Sequence, residues 1–327
     1  MKIIPFNNQS LGPQDPNKYN DFSRFNTDTD DFVFIESSWF DDEDIIKKSF
    51  GKKIVYIEFE EPNRFLVLNN NKFIPNTHDY FGEKYQKILT ICPFTAKWLN
   101  KKNNTKKRIP VFQPFNEQFI PPQTKKKIEV IYTGHIVSPE ITRIIETISN
   151  FNYRFVSNSD SPLVTNKSIS YKEKLKLISE TRISVVHNLL YPEYQHIQSV
   201  WQIPDYYENK AFKLVPKKLP DFIPNILKRL YISKKTIIIP QVKQRLFEAA
   251  FCRSLILCRK DPFNVIEYFF TPGKEFIYYE DGKLYEKITE ILSDFEQYQQ
   301  VIDNAFKKAD SKYTTKEFVK KYLTNIF

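Results

Sequence analysis

Two cations and a carboxylate lie close together in a predicted helix of the C-terminal half. Lys243 and Arg245 stand near the start of a helical pattern over residues 242–251, and Glu248 follows about one turn later. The amino end of a helix attracts anions, and a carboxylate can accept hydrogen bonds from hydroxyl groups. The segment therefore favours a ligand with phosphates and hydroxyls. A solvated Arg245–Glu248 ion pair is the structural alternative.

Polar residues also follow two predicted strands upstream of this helix. Gly134 and His135 come after a strand pattern over residues 128–132, and Asn188 ends another over 183–188. The chain has six glycines, so Gly134 is expected where the backbone needs a positive φ or approaches a ligand closely. All three residues are candidate ligand contacts. An ordinary turn, a hydrogen-bonded structural histidine and a strand-ending asparagine are the alternatives.

Acidic residues and a histidine in the N-terminal half are the candidates for a general base. Glu58 and Glu61 lie at the end of a strand pattern over residues 53–58 and just beyond it, and His78 follows further along. Each could accept a proton from an attacking hydroxyl. The sequence around them does not favour one of the three.

Short apolar runs rich in β-branched residues alternate with helical patterns along most of the chain. This alternation predicts an α/β protein with parallel sheets. A polar segment over residues 116–127 predicts a boundary between an N-terminal domain, residues 1–120, and a C-terminal domain, residues 121–310. Residues 189–236 interrupt the alternation with prolines and aromatic residues, which indicates an insertion. A last helix is expected over residues 311–327.

Composition restricts the class of protein. The 327 residues suit two domains, and 41% hydrophobic residues suit packed cores. No apolar run is long enough for a membrane helix or a signal peptide, so a cytoplasmic protein is expected. The three cysteines have no zinc-site spacing and are expected to be reduced. A net charge of +10 suits an anionic ligand and leaves a peripheral membrane contact open, whereas the short lysine runs are more typical of solvated loops than of a nucleic-acid site.

Two segments of the C-terminal half resemble a known family. Residues 241–258, QVKQRLFEAAFCRSLILC, resemble the donor-site signature of GT-B glycosyltransferases, particularly the CgeB-like and family 4 groups. Downstream, an apolar helix end followed by Pro-Gly-Lys-Glu at residues 272–275 resembles a second segment of the same group. The resemblance implies two Rossmann-like domains with parallel sheets facing a central cleft. It also implies a metal-independent transfer of a sugar from a nucleoside-diphosphate sugar to an acceptor hydroxyl.

The resemblance also implies roles for the residues of the site. Glu248 would bind the ribose and Arg245 the phosphates, while the remaining donor contacts would be Lys243, Gly134, His135, Asn188 and Gln241. Gln241 is taken as the counterpart of the earlier acid of the family 4 Glu-x7-Glu pattern, and Arg253 stands where a glycine is common. The donor is expected to be a UDP or GDP sugar that serves as substrate, with no cofactor, and the acceptor a glycan or another hydroxyl compound.

Two other hypotheses belong to different classes. The tripeptide Asp28-Thr29-Asp30 is formally an Asp-x-Asp metal motif of the GT-A type, but it precedes the first clear strand pattern, where a turn is expected. The aromatic and basic residues between 191 and 235 would suit a non-catalytic module that binds glycans or nucleic acids, since aromatic rings stack on both.

Overall fold

Two five-stranded parallel sheets organise the molecule. The computed structural model describes residues 2–4, 32–36, 53–58, 68–69, 72–73, 86–102, 104–190 and 239–324. Within these ranges, every neighbouring pair of strands in both large sheets is parallel. The predicted fold class, α/β with parallel sheets, is confirmed.

The N-terminal sheet has the strand order β1-β2-β3-β6-β7. Its strands are β1 (Lys2–Ile4), β2 (Phe32–Glu36), β3 (Lys53–Glu58), β6 (Lys87–Thr90) and β7 (Arg108–Pro110). Helix α1 (Pro93–Lys102) connects β6 to β7, and the antiparallel pair β4 (Leu68–Asn69) and β5 (Lys72–Phe73) lies outside the sheet. Strands β2 and β3 have the bounds that their apolar runs predict.

The C-terminal sheet has the strand order β14-β13-β10-β8-β9. Its strands are β8 (Ile128–Thr133), β9 (Tyr153–Val156), β10 (Thr181–Val186), β13 (Leu255–Arg259) and β14 (Ile277–Tyr279). Alternating residues of β8 and β13 enter two separate cores, because successive side chains of a strand point to opposite faces. The sheet is therefore covered on both faces.

Helices pack on both faces of the C-terminal sheet. Helices α2 (Pro139–Ile148) and α5 (Leu284–Ser293) contribute to one core, and α3 (Tyr171–Ser179) and α4 (Arg245–Phe251) to the other. Ser138 caps α2 through the amide of Ile141, and Ser170 forms a capping box with Glu173 in α3. These caps explain why α2 and α3 begin where they do.

The C-terminal segment joins the end of the N-terminal sheet. It consists of α6 (Gln299–Lys312), α7 (Thr315–Phe318) and a π-helical turn (Val319–Leu323). The ring of Phe112, just beyond β7, lies 5.4 Å from the ring of Phe318 and 5.6 Å from that of Tyr322. In its described part, the last helix expected over residues 311–327 is a short α-helix and a π turn that contact the chain just beyond β7.

The segment expected to separate the domains is held by hydrogen bonds. It contains a 3-10 turn (Glu117–Phe119), and the Lys126 ammonium group donates to the carbonyl oxygens of Ser179 at 2.8 Å and Arg253 at 2.6 Å. Burial lowers the pKa of Lys126 to about 8. The lysine run at residues 125–127 is therefore not a purely solvated loop, because its middle ammonium group joins the ends of α3 and α4.

Two short strands were not predicted, and one helix is shorter than its pattern. β1 and β14 have three residues each, too few for a clear alternation. Helix α4 begins at Arg245, whereas the apolar pattern suggested residue 242. None of the helices in the described part of the chain is long and apolar enough to cross a membrane.

Candidate functional site

Helix α4 presents two differently built ends. At its carboxyl end, the amides of Arg253 and Ser254 donate to the carbonyls of Ala250 and Ala249, which is a Schellman motif. Arg253 takes the left-handed conformation with φ of 53°, which explains why glycine is common at this position in the resembled family. At its amino end, Gln244 makes no side-chain capping bond. The carboxyl end of α4 is thus closed, while its amino end presents Arg245.

Arg245 lies across the carboxyl end of β8. Its Nη1 donates to the hydroxyl oxygen of Tyr132 at 2.5 Å, and its guanidinium carbon lies 4.9 Å from the centre of that ring. Gly134 follows β8 with φ of 134°, and a Cβ built on it would collide with the Arg245 guanidinium. The backbone angle therefore favours glycine at this turn, and a larger residue would also have to displace the Arg245 guanidinium. The sequence predicted the need for glycine but not that Arg245 would be its neighbour.

Arg245 keeps its positive charge without a carboxylate nearby. Within the described ranges, Arg245 has no ion-pair partner, and its hydrogen bond is to a neutral tyrosine. The alternative of an Arg245–Glu248 ion pair is wrong, because Glu248 pairs with a different residue. A guanidinium presents several N–H donors in a plane that matches the oxygens of a phosphate. The carboxyl end of β8 is thus suited to an anion.

Glu248 is buried against helix α3. Its side chain is 1% exposed, and its Oε2 lies 2.6 Å from Nζ of Lys174, whose side chain is 23% exposed. Its Oε1 has no hydrogen-bond partner among the described residues. A buried carboxylate oxygen without a donor is costly, so a hydroxyl group that donates to it would be bound favourably.

His187 lies just beyond the end of β10, close to two arginines. Its side chain is buried, and burial together with the positive charges of Arg245 and Arg259 lowers its pKa to about 3. The imidazole is therefore neutral at physiological pH. It adds no charge next to Arg245, and the low pKa results from burial first and from the two arginines second.

Asn188 and Gln241 meet where β11 (Leu189–Leu190) pairs with β12 (Ile239–Pro240). The Gln241 amide donates to the Asn188 carbonyl at 2.8 Å, and both side chains are buried. The Asn188 side-chain oxygen has no partner in the described part of the chain. Seven residues separate Pro240 from Glu248, so the earlier acid of the family 4 Glu-x7-Glu pattern corresponds to Pro240. Gln241, which was taken as its counterpart, lies one residue further along.

The other predicted site residues are placed less closely together. Lys243 precedes α4 and is partly exposed, and His135 is exposed beyond Gly134. Glu58 ends β3, but its side chain is not among those described. Glu61, His78 and the Asp28-Thr29-Asp30 tripeptide lie outside the described residues, as does most of the predicted insertion. The structure therefore brings two pairs of predicted site residues into contact, Arg245 with Gly134 and Asn188 with Gln241.

Two residues of the site were missed from the sequence. Tyr132 lies in the middle of an apolar strand run and reads as a core residue, and its ring is indeed buried. Lys174 lies on α3, 74 residues before Glu248, in a helix with several charges. Only the packing of α3 against α4 selects it, so no local pattern could have identified it.

No metal centre is apparent in the described ranges. No group of three or more His, Cys, Asp or Glu side chains there is arranged to hold a metal ion. All three cysteines are buried and unbonded, as expected of reduced residues. The positive charge of the site comes from Arg245 and, more distantly, from Arg259.

Comparison with known proteins supports the fold and the region of the site. Residues 230–324 match the family model of glycosyl transferase-like proteins, a stretch that includes Arg245 and Glu248. This match does not distinguish the CgeB-like group from other glycosyltransferases. No curated protein sequence matches the chain.

Solved structures with very low sequence identity share the fold. Anabaena HepE, solved with UDP-glucose, superposes with a TM-score of 0.55 at 8% identity, over 90% of this chain and 78% of HepE. S. aureus TarM, solved with UDP, reaches 0.54 at 10% identity, over 92% of this chain and 56% of TarM. A glycosyltransferase from Rickettsia africae reaches 0.52 at 11% identity, over 92% of this chain and 76% of that one.

The lengths of these chains differ. This chain spans little more than half of TarM and about three quarters of HepE. At such low identity the likeness establishes the fold and not the substrates. The chain has a GT-B fold, and its residues 230–324 match the glycosyl transferase-like family.

Proposed function

We propose that this protein is a metal-independent glycosyltransferase that moves a sugar from a nucleoside-diphosphate sugar to an acceptor hydroxyl. The transferred sugar would be a hexose or a pentose, and the donor a UDP or GDP sugar. The donor would bind to the C-terminal domain, residues 121–310, and the acceptor to the N-terminal domain, residues 1–120. We place the enzyme in the cytoplasm, in a group similar to the CgeB-like and family 4 enzymes.

The observation that supports this proposal most strongly is the setting of Arg245. A guanidinium group with no carboxylate partner among the described residues lies against a glycine at the carboxyl end of β8. In open parallel sheets, ligands bind at the carboxyl ends of the strands. Arg245 can therefore stabilise the negative charge that develops on the diphosphate as it leaves, which is where electrostatic catalysis is most effective.

Glu248 would bind the ribose of the donor. The Lys174 ammonium group holds one carboxylate oxygen at 2.6 Å, which leaves Oε1 for a ribose hydroxyl. Because Glu248 is 1% exposed, the side chains that cover Oε1 must move when the donor binds. Lys174 is thus a positioning residue that fixes the orientation of the carboxylate.

The remaining donor contacts are those that the resemblance to GT-B glycosyltransferases implies. Gly134 and His135 would line the diphosphate, while Asn188 and Gln241 would face the base or ribose from the other side of the sheet end. Lys243 would add charge near the start of α4. Glu58, Glu61 and His78 remain the candidates for a base that accepts the proton of the acceptor hydroxyl, if the reaction inverts the anomeric centre.

Turnover of the donor tests the proposal. The purified protein is incubated with UDP-glucose, the ligand of the HepE structure, and with GDP-mannose, in the presence of EDTA, and release of the nucleoside diphosphate is measured. We expect slow release without acceptor, at least tenfold slower in Arg245→Met. Arg143→Met is the matched control, because Arg143 lies on the surface of α2 with its side chain 74% exposed. Absence of release from a panel of nucleotide sugars would contradict an enzymatic function.

A further inference from the structure

A cavity lies between the N-terminal sheet and the C-terminal segment, away from Glu248. Its volume is about 500 Å³, within the range of small-molecule sites. Pro93 and Pro110 border it at the carboxyl ends of β6 and β7, and the opposite wall comes from α6, α7 and the π turn. We call it the C-terminal pocket. It opens where a parallel sheet commonly receives ligands, but on the N-terminal sheet rather than the C-terminal one.

Positive charge predominates in the C-terminal pocket. Three lysines, Lys308, Lys312 and Lys321, line it together with one acid, Glu317. Lys308 is neutralised by Glu275 at 2.7 Å, and Glu317 lies 3.8 Å from Lys320. Neither Lys312 nor Lys321 has an ion-pair partner in the part of the chain that the structure describes. Two ammonium groups therefore face the pocket without compensation.

Aromatic rings form much of the remaining wall. The ring of Phe112 packs against those of Tyr313 and Tyr322, with centres 5.1 and 5.6 Å away, and Tyr268 is 60% exposed at the rim. The Lys321 ammonium group lies 4.9 Å from the centre of the Tyr322 ring. Both residues belong to the π turn, and π-helical turns inside helices are frequent at functional sites. Aromatic faces beside cations suit a ligand that combines a sugar ring with an anion.

We propose that the C-terminal pocket binds a phosphorylated sugar, with its phosphate between Lys312 and Lys321 and its ring against the tyrosines. The site is distinct from the donor site, because it uses neither Arg245 nor Glu248. It goes beyond glycosyl transfer and would exist even if the proposed donor were wrong. No described carboxylate forms an ion pair with either ammonium group, so a phosphate monoester is the ligand class that the pocket favours.

Calorimetric titration with glucose 6-phosphate, glucose and inorganic phosphate tests this proposal. We expect glucose 6-phosphate to bind about tenfold more tightly than either of the other two probes, because it alone uses both the cations and the rings. The double variant Lys312→Ala/Lys321→Ala should weaken this binding about tenfold or more. The matched control is Lys307→Ala/Lys316→Ala, which removes the same charge from exposed positions of α6 and α7 outside the pocket.

The controls separate the pocket from the donor site. Arg245→Met should retain glucose 6-phosphate binding within twofold, so a failure of the proposed transferase activity would leave this result intact. The proposal is overturned by any one of three results: glucose 6-phosphate does not bind, both double variants weaken it equally, or Arg245→Met abolishes it. All substitutions replace exposed or half-exposed side chains, and an unchanged melting temperature will confirm that the variants are folded.

Discussion

Arg245 lies at the carboxyl end of β8 and Arg259 at the carboxyl end of β13 in the same sheet, yet their surroundings differ. Arg259 ends β13 and forms two ion pairs, with Glu140 at 3.0 Å and with Asp281 at 2.7 Å. Arg245 has a tyrosine hydroxyl and a glycine as neighbours, and no carboxylate among the described residues. One arginine is satisfied by the protein, while the other retains its capacity to bind an anion.

This difference shows how the fold separates stability from binding. Arg259 connects the amino end of α2 to the loop after β14, so its charge contributes to the folded state. Arg245 makes one neutral hydrogen bond, so it contributes little to folding through charge pairs. Where two arginines occupy similar strand ends, the one without an acid is the better candidate for a ligand contact.

The largest expected effect comes from replacing each arginine by methionine. Arg245→Met should weaken nucleoside diphosphate binding about 100-fold, because a charge-assisted hydrogen bond to phosphate is lost, and should change the free energy of unfolding little. Arg259→Met should lower the free energy of unfolding by about 1 kcal/mol and leave binding nearly unchanged, because its partners are partly exposed. Calorimetry and urea unfolding measure the two effects. The comparison fails if both variants lose binding to the same extent.

Gly134→Ala sharpens the case for Arg245. An alanine at φ of 134° is strained, and its Cβ displaces the guanidinium, so we expect a loss of about 2 kcal/mol of stability and about tenfold weaker nucleotide binding. Gly282→Ala is the control, because Gly282 also has a positive φ, of 72°, but no described atom would lie within 4 Å of its Cβ. It should lose stability without losing binding. Equal binding in the two variants would show that the approach of Arg245 to Gly134 is unimportant.

His187 gives a pH test of the burial of its imidazole beside the two arginines. Its pKa is about 3 in the folded protein and near 6.5 when unfolded, so unfolding takes up a proton between these values. Above pH 6.5 His187 is neutral in both states and does not change the free energy of unfolding. As the pH drops from 6.5 towards 3, the free energy of unfolding falls by up to about 1.4 kcal/mol per pH unit. The free energy of urea unfolding, measured at pH 7, 6 and 5, should decrease less in His187→Asn than in the wild type. Parallel pH profiles of the two proteins would contradict the buried, neutral imidazole.

Arg253→Gly should have the smallest effect. Glycine relieves the left-handed strain at φ of 53°, a gain of about 1 kcal/mol, but removes the contact of the guanidinium with the Phe306 ring at 3.5 Å. These two effects nearly cancel, so the free energy of unfolding measured in urea should change by less than about 0.5 kcal/mol. Arg253→Ala, which keeps the strain and loses the contact, should be clearly less stable. If Arg253→Gly were as destabilised as Arg253→Ala, backbone strain would not matter here.

The sequence predicted the elements better than the contacts between them. The strand pattern over residues 53–58 coincides with β3, and the patterns over 128–132 and 183–188 differ from β8 and β10 by one or two residues at their ends. Strands β1 and β14 are too short to show a period. Helix α4 begins at residue 245 rather than at the predicted residue 242, because residues 241–243 extend from β12. Local sequence patterns reflect local conformational preferences, whereas these three differences depend on packing.

The candidate site shows the same division. Arg245, Glu248 and Gly134 were identified from residue type and spacing, since each belongs to a short recognisable segment. Lys174 and Tyr132 were not, because their roles depend on contacts with residues 74 and 113 positions away. The ion-pair partner of Glu248 was not predicted either, since helical spacing offered Arg245 only as an alternative and the packing of α3 on α4 brings Lys174 to the carboxylate.

Calorimetric titration with UDP, GDP, ADP and CMP in the presence of EDTA tests the central claim most directly. It is carried out on the wild type, on Glu248→Gln, and on Glu146→Gln as the matched control, because Glu146 lies on the surface of α2. We predict that one nucleoside diphosphate binds tightly, that Glu248→Gln weakens it about tenfold or more, and that Glu146→Gln does not. Binding that is equal in all three proteins, or absent for all four nucleotides, would contradict a donor site at Arg245 and Glu248.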